Sequence, residues 1–341
     1  MATDITSRID SLHEAFSGAE RILVLSHDNP DPDALASACT LRAILQELVD
    51  AETTVGYAGL VGRAENRAMM RELELDVTHI GNLDLSTFDA IAMVDTQPGF
   101  GNNSLPTRRR PTAVIDHHPP RADLDDIPFV DIREDYGATS TIVAEYAYAI
   151  GLRLSPALTT ALFYALKAET QDLGREASEH DQKVYLSLFP HADKPALSRI
   201  QTASVPRTYF RVIQLAIESA RVYGHAVLTD LQRVRHPDLV AEIADFLLRL
   251  EEVDWSCCMA RHEDQLVLSL RTSDPDAHAG SIIRDVVRDM GAAGGHGMIA
   301  GGRVKLGSTS YSEVAETVRQ RLLDALDIDE NERPGEPLVL P

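Results

Sequence analysis

Three segments of this chain share one pattern. "RILVLSHDNPDPD" (21–33), "AIAMVDTQP" (90–98) and "AVIDHHPP" (113–120) each open as a short apolar run and end in a burst of aspartate or histidine. Continuous apolar runs of this length suit strands buried on both faces, as in a parallel sheet covered by helices. The intervening segments carry helical spacing. "SRIDSLHEAFSGA" places Ile9, Leu12 and Phe16 on one face, and "DALASACTLRAILQELV" follows the first strand, with Asp33 as its expected N-cap. Further strands are expected at "TTVGYAG" and "IPFVDI", and further helices at "ENRAMMREL", "TSTIVAEYAYAIG" and "PALTTALFYALKAET". Strands alternating with helices predict an α/β fold with a doubly wound, mainly parallel sheet. The crevice of such a sheet lies beyond the carboxyl ends of its strands, which is where these polar bursts fall.

The bursts have a chemical requirement. His27, Asp31 and Asp33 sit in one strand-to-helix turn, stiffened by Pro30 and Pro32. Carboxylates so close together repel, and each is pushed towards its protonated form unless a cation compensates. Asp95 and His117 end two other strands. Oxygen and imidazole donors with no thiolate suit Mn²⁺ or Mg²⁺, with Co²⁺ also acceptable, over a structural zinc.

Length and composition bound the rest. A chain of 341 residues predicts two domains. No apolar run approaches the length of a membrane span. The polar start "MATDITSRIDSLHEAF" does not resemble a secretion signal, and three cysteines (Cys39, Cys257, Cys258) make no disulfide framework; a reducing cytoplasm is expected. Fifty-three acidic residues against 32 Lys and Arg give a net charge of −21, so a groove for long nucleic acid is not expected. Acidic residues spread along the whole chain also suit a halophile's cytoplasm, where ~1 M salt shortens the Debye length to about 3 Å.

Beyond residue 225, "HAVLTDLQRV" and "DWSCCMARHEDQLVLSLRTS" read as strands, "HAGSIIRDVVRDM" and "EVAETVRQRLLDAL" as helices, and "GAAGGHGMIAGGRV" as a glycine-rich loop. The expected organisation is a catalytic domain over 1–185, a helical connector over 186–224, a smaller α/β domain over 225–326 and a mobile tail over 327–341.

"HDNPDPDA", "VDTQP" and "DHHPP" resemble the first three motifs of the DHH phosphoesterase superfamily, and "GGHGMIAGGRV" resembles the glycine-rich signature of its DHHA1 partner domain. The order covers the chain from about residue 20 to 325 and is most similar to the nanoRNase and pAp-phosphatase-like branch, with RecJ exonucleases as relatives. The resemblance implies a cleft between the two domains. It also implies that His27 and Asp31 hold one divalent ion, that Asp33 and His117 hold another, and that Asp95 bridges both. A fourth family motif has an aspartate where "AETQDLG" has Glu169; Asp172 is the fallback ligand.

Asp116 would orient His117 from behind, and His118 would contact substrate. Gly294, Gly295 and His296 would receive a terminal phosphate, with Arg271 reaching it and Arg303 a weaker candidate. Thr139, Ser140 and Thr141 are expected to cap their helix, and the paired cysteines to pack in the core. The implied activity is Mn²⁺-dependent hydrolysis of short nucleotides: nanoRNA, linear dinucleotides or pAp. Partners would be the nucleotide alone and a possible second copy of the chain, with no membrane and no long duplex. A RecJ-like single-strand exonuclease and a catalytically weakened binding module are the alternatives.

Overall fold

The apolar runs of the first 200 residues form one parallel sheet. The protein is described by a computed structural model over residues 2–120 and 122–339, which divides into two units, 1–203 and 204–341. Unit 1 comprises α1 (Ala2–Phe16), β1 (Arg21–Leu25), α2 (Pro32–Leu48), β2 (Glu52–Tyr57), α3 (Ala64–Glu72), β3 (Thr78–His79), β4 (Ala90–Val94), β5 (Ala113–Asp116), β6 (Phe129–Ile132), α4 (Thr139–Ala149), α5 (Pro156–Glu169), α6 (Glu179–Leu188) and α7 (Lys194–Gln201). The sheet order is β3-β2-β1-β4-β5-β6, and every pairing is parallel. The order reverses between β1 and β4, which is where a doubly wound sheet opens its crevice.

Alternate residues of β1 serve different cores, as strand geometry demands. Ile22 and Val24 pack with α1, α2, α4 and α5, while Leu23 and Leu25 pack with Ile91, Met93 and Val114 on the other face. Helix α2 is buried over Pro32–Leu41, and its run of Ala, Ser, Cys and Thr is small enough to lie between neighbours on several sides. Its N-cap is Asp31, not Asp33: Asp31 Oδ1 accepts the Ala34 amide at 3.0 Å, and Pro32 occupies the first helical position. Asp33 is thereby turned inward. The expected caps of α4 also differ. Its N-cap is Ala138, which has no capping side chain, and Thr139–Thr141 form the first helical turn.

Unit 2 comprises α8 (Arg207–Ser219), β7 (Arg221–Tyr223), β8 (Ala226–Arg233), α9 (Asp238–Leu247), β9 (Trp255–His262), β10 (Gln265–Thr272), α10 (Ala279–Val286), β11 (Gly291–His296), β12 (Ile299–Lys305), α11 (Tyr311–Ala325) and β13 (Glu336–Pro337). Its sheet order is β11-β12-β10-β9-β8-β7-β13, with only β8 and β9 parallel among the described pairs. Helix α9, unassigned from sequence, buries Val240, Ile243, Ala244 and Leu247 at helical spacing.

Two expectations are corrected here. The glycine-rich stretch is a hairpin of β11 and β12, not a loop. Its glycines let backbones touch: a Cβ on Gly291 would lie 2.0 Å from the Arg303 carbonyl oxygen. The C-terminal segment expected to be mobile is built into the unit. Ile328 is buried in the core, β13 pairs with β7, and the Leu338 amide donates to Ala220 O at 3.0 Å. The physical reason is that β7 would otherwise present an open edge. Of the expected connector, α7 lies in unit 1, whereas α8 and β7 lie in unit 2. No helix among the described residues is long and apolar enough to cross a membrane.

Ile328→Ala should therefore destabilise the protein by about 2–5 kcal/mol, as a core residue does, measured as a shift of the unit 2 transition in urea. A change within 0.5 kcal/mol would mean that the tail is not held as described.

Candidate metal centre

The three polar bursts arrive at one level because the strands that carry them are in register. Leu25 of β1 pairs with Met93 of β4, and Val94 of β4 pairs with Ile115 of β5. The turns beyond them are then stitched together. The Asp28 amide donates to Asn102 O at 2.6 Å, and the Ser104 hydroxyl donates to Asp28 Oδ2 at 2.9 Å, so the turn after β4 holds the turn after β1.

Within this frame the imidazoles are aimed. His27 Nδ1 lies 2.9 Å from the Asp28 carbonyl, a partner that can only accept, so the proton is assigned to Nδ1. Its Nε2 faces Asp95 Oδ2 at 3.5 Å and Asp31 Oδ2 at 3.8 Å. His117 repeats the arrangement: Nδ1 lies 3.0 Å from the Tyr136 carbonyl, and Nε2 faces Asp95 Oδ1 at 3.7 Å. Asp95 itself is buried and left-handed, with φ +56°, a conformation aspartate tolerates better than most residues. Its amide donates to Ile115 O at 3.0 Å.

Asp116, expected to orient His117, contacts the backbone of His117 and both the backbone and ring of His118. Oδ1 accepts the His117 and His118 amides at 2.8 and 3.2 Å and lies 2.8 Å from His118 Nδ1, while Oδ2 accepts Gln97 Nε2 at 2.9 Å. The carbonyl of Tyr136 takes the place expected for Asp116 behind His117.

Two overlapping groups of donor atoms result, each within 4.8 Å: His27, Asp31 and Asp95, and Asp95, Asp116, His117 and His118. Asp95 is common to both. Asp33 and Glu169 lie outside these groups. Asp33 accepts the Thr139 and Ser140 amides at 2.8 and 2.9 Å, serving as the cap that α4 lacks. Glu169, the last residue of α5, lies 3.4 Å from Arg175, whose guanidinium also donates to the Glu169 carbonyl. Asp172 is turned away: it pairs with Lys167 and accepts the Tyr185 hydroxyl at 2.7 Å.

The electrostatics show how far these residues are from neutral company. Burial works against charge at each of them. At Asp33 burial dominates, reinforced by Asp95, and its pKa is pushed well up; at Glu169 burial and Asp31 raise it. At His27 burial is outweighed by Asp31 and Asp95, which raise it. At Asp95 burial is outweighed by His27, His118 and His117, which hold it well below the usual carboxylate range. At His118 burial is outweighed by Asp116, and the imidazole is raised to about 9.

These donors fit a divalent cation. Imidazole-to-carboxylate separations of 3.5–3.8 Å are too long for hydrogen bonds. Donors sharing one octahedral cation at about 2.1 Å lie roughly 3–4 Å apart. The set is oxygen and nitrogen only, and its excess of buried carboxylate is the charge a cation would balance.

In unit 2, Gly294 and Gly295 lie in β11, the edge strand of that sheet. The backbone of His296 ends the strand; its side chain lies outside the described residues. Arg271 is buried and braced: Nε donates to Asp245 at 2.5 Å, and Nη1 to Ser269 Oγ at 2.6 Å and Leu270 O at 3.0 Å. Arg303 faces Val267 across the β10–β12 ladder. Cys257 and Cys258 are buried in two different cores of unit 2, as their packing role requires.

Residues 21–166 match the DHH family, N-terminal domain. The chain is 29% identical over 92% of its length to an uncharacterized protein of Methanocaldococcus jannaschii, covering 65% of that protein. It is 25% identical over 94% of its length to the cyclic-di-AMP phosphodiesterase GdpP of Geobacillus thermodenitrificans, covering 50% of it. The chain thus spans half to two thirds of the length of these relatives. Among solved structures, an exopolyphosphatase-related protein from Bacteroides fragilis superposes with a TM-score of 0.73 at 16% identity, over 94% of this chain and 96% of that one. RecJ from Thermus thermophilus, in complex with Mn²⁺, superposes with a TM-score of 0.50 at 13% identity, over 95% of this chain and 55% of RecJ. Residues 21–166 thus resemble the DHH family's N-terminal domain, and the superpositions show the same fold in the two solved structures.

The His118–Asp116 pair gives a pH signature in metal-free protein. The folded pKa of about 9 exceeds the ordinary 6.5, so the stabilisation from this pair is fully present below pH 6.5 and is lost as pH rises through 9. Histidine ¹H–¹⁵N spectra should place the His118 titration near 9 in wild type and at least a unit lower in Asp116→Asn. Equal values in both proteins would remove Asp116 as the cause.

Proposed function

We propose that unit 1 is a two-metal phosphoesterase centre acting on short nucleotides: nanoRNA of a few residues, linear dinucleotides, or a 3′-phosphorylated nucleotide such as pAp. The observation that carries this is the shared carboxylate of Asp95, placed between one donor group that includes His27 and Asp31 and another that includes His117. His27 and Asp31 would hold one ion, His117 and Asp33 a second, Asp95 both, and Glu169 would complete the second set. Bound Mn²⁺ or Mg²⁺ would supply an activated water and neutralise charge on the phosphate.

The chain's own groups do the rest. Asp116 lies 2.8 Å from His118 Nδ1 and orients the ring, so His118 would offer its other nitrogen to a phosphate or leaving-group oxygen. Gln97 holds the second oxygen of Asp116 and the His118 carbonyl, at 2.9 and 2.8 Å, which fixes that donor's direction. The flanking turns are tied by hydrogen bonds of Asn29, Asn102, Asn103 and Ser104, which brace the strand ends. In unit 2, Gly294 and Gly295 of the edge strand would be the backbone candidates for a phosphate, and Arg271 is the basic candidate, with Asp245 as its present partner.

A small substrate is favoured over a long strand by the net charge of −21, which repels polyanions at low salt. The cyclic-di-AMP phosphodiesterase named above, similar along 94% of this chain, supports a dinucleotide-sized substrate. The RecJ-like exonuclease reading predicts that rate grows or holds with strand length, so an oligonucleotide ladder separates the two.

The decisive assay is a panel of labelled dinucleotide, short RNA ladder, pAp and cyclic dinucleotide with Mn²⁺, in low and molar salt. Turnover is expected, fastest on the shortest linear substrates. His118→Ala should lower kcat roughly 10²–10⁴-fold while Mn²⁺ still binds, whereas Asp95→Asn should lose both. No turnover of any substrate by metal-loaded wild type, or near-normal turnover by Asp95→Asn, would overturn the proposal.

A further inference from the structure

We propose that Thr139 is the positioning residue for the Asp95 carboxylate, and that the stretch Tyr136–Thr141 is the common reference for the ligands of the centre. The inference rests on the two-ion reading of Asp95. It concerns residues that the sequence marks only as helix caps.

Asp95 must present its two oxygens in different directions. Oδ2 faces His27 Nε2 at 3.5 Å, and Oδ1 faces His117 Nε2 and His118 Nδ1, both at 3.7 Å. The terminal torsion of an aspartate is soft, and contacts at these lengths do not fix it. The Thr139 hydroxyl does: it donates to Asp95 Oδ1 at 2.9 Å, with both residues buried. That bond uses one lone pair of Oδ1 and leaves the other, together with Oδ2, for ligation. Capping does not account for the hydroxyl, since Thr139 is the first helical residue and the cap position is Ala138.

The neighbouring atoms extend the same role. The Thr139 and Ser140 amides hold both oxygens of Asp33, and the Tyr136 carbonyl holds His117 Nδ1. Three candidate ligands, brought by three different parts of the chain, are thus referred to Tyr136, Thr139 and Ser140 of this one stretch. The stretch is itself anchored. Asp181 of α6, fully buried, accepts the Gly137 amide at 2.8 Å and the Thr141 hydroxyl. Gly137 has no room for a side chain, because a Cβ would lie 2.7 Å from the Glu176 carbonyl oxygen. The Tyr136 hydroxyl is held by Arg133 at 2.9 Å and by Glu145 at 3.0 Å.

The test is Mn²⁺ titration of the full chain by calorimetry, with electron paramagnetic resonance to count bound ions. Wild type should bind two equivalents. Thr139→Val, which keeps shape and removes the hydroxyl, should weaken the second equivalent roughly 10–100-fold, the usual effect of losing a group that orients a ligand. Thr139→Ser, which restores the hydroxyl, should stay close to wild type. If Thr139→Val does not fold, Thr139→Ala takes its place with the same expected loss. Two equivalents bound by the hydroxyl-free variant as tightly as by wild type would overturn the inference. Wild type binding fewer than two ions would instead overturn the two-ion reading beneath it.

Discussion

Everything in unit 1 is arranged around one electrostatic difficulty, the burial of Asp95 among other ionisable groups. An ionised carboxylate removed from water is costly unless partners replace its hydration. Here the partners are three imidazoles at 3.5–3.7 Å and one threonine hydroxyl at 2.9 Å. The imidazoles in turn are held by carbonyls and by Asp116, and those by the turns that end β1, β4 and β5. The positive φ of Asp95 belongs to the same arrangement: the chain turns sharply on leaving β4 and delivers the carboxylate back across the sheet's rim.

Much of this was legible in the residues. The ends of β1, β4 and β5 carry His27, Asp31, Asp95 and the Asp116–His118 run, and short apolar strands in a parallel sheet can only deliver such ends to one rim. What could not be read was which atom faces which. Asp31 and Asp33 are two residues apart and chemically identical, and the choice of Asp31 as N-cap depends on where the amides of α4 lie, more than a hundred residues away. The sequence likewise offered Asp116 as partner of His117, its chain neighbour. The fold uses Tyr136 instead, because β6 and the turn after it pass behind that ring.

Unit 2 was harder to read for a different reason. Glycine signals freedom, and "GAAGGHGMIAGG" reads as a flexible loop. In the fold those residues are two strands and the two-residue turn between them, and the glycines let β11, β12 and α10 approach each other closely; a Cβ on Gly280 would meet the Gly295 carbonyl at 2.2 Å. Closeness and flexibility both call for glycine, and only tertiary context separates them. The tail past residue 327 misled in the opposite way: it is polar and rich in turns, yet it supplies a strand.

That last strand has a consequence for how the two units depend on distant sequence. Because β13 closes the edge beside β7, the sheet of unit 2 is completed by Glu336 and Pro337, which pair with Val222 and Arg221 at the far end of the same unit's sequence. The candidate metal ligands all lie in unit 1 and make no use of that pairing. Loss of β13 would therefore leave the ion-facing side chains in place while exposing an adhesive β-edge in unit 2.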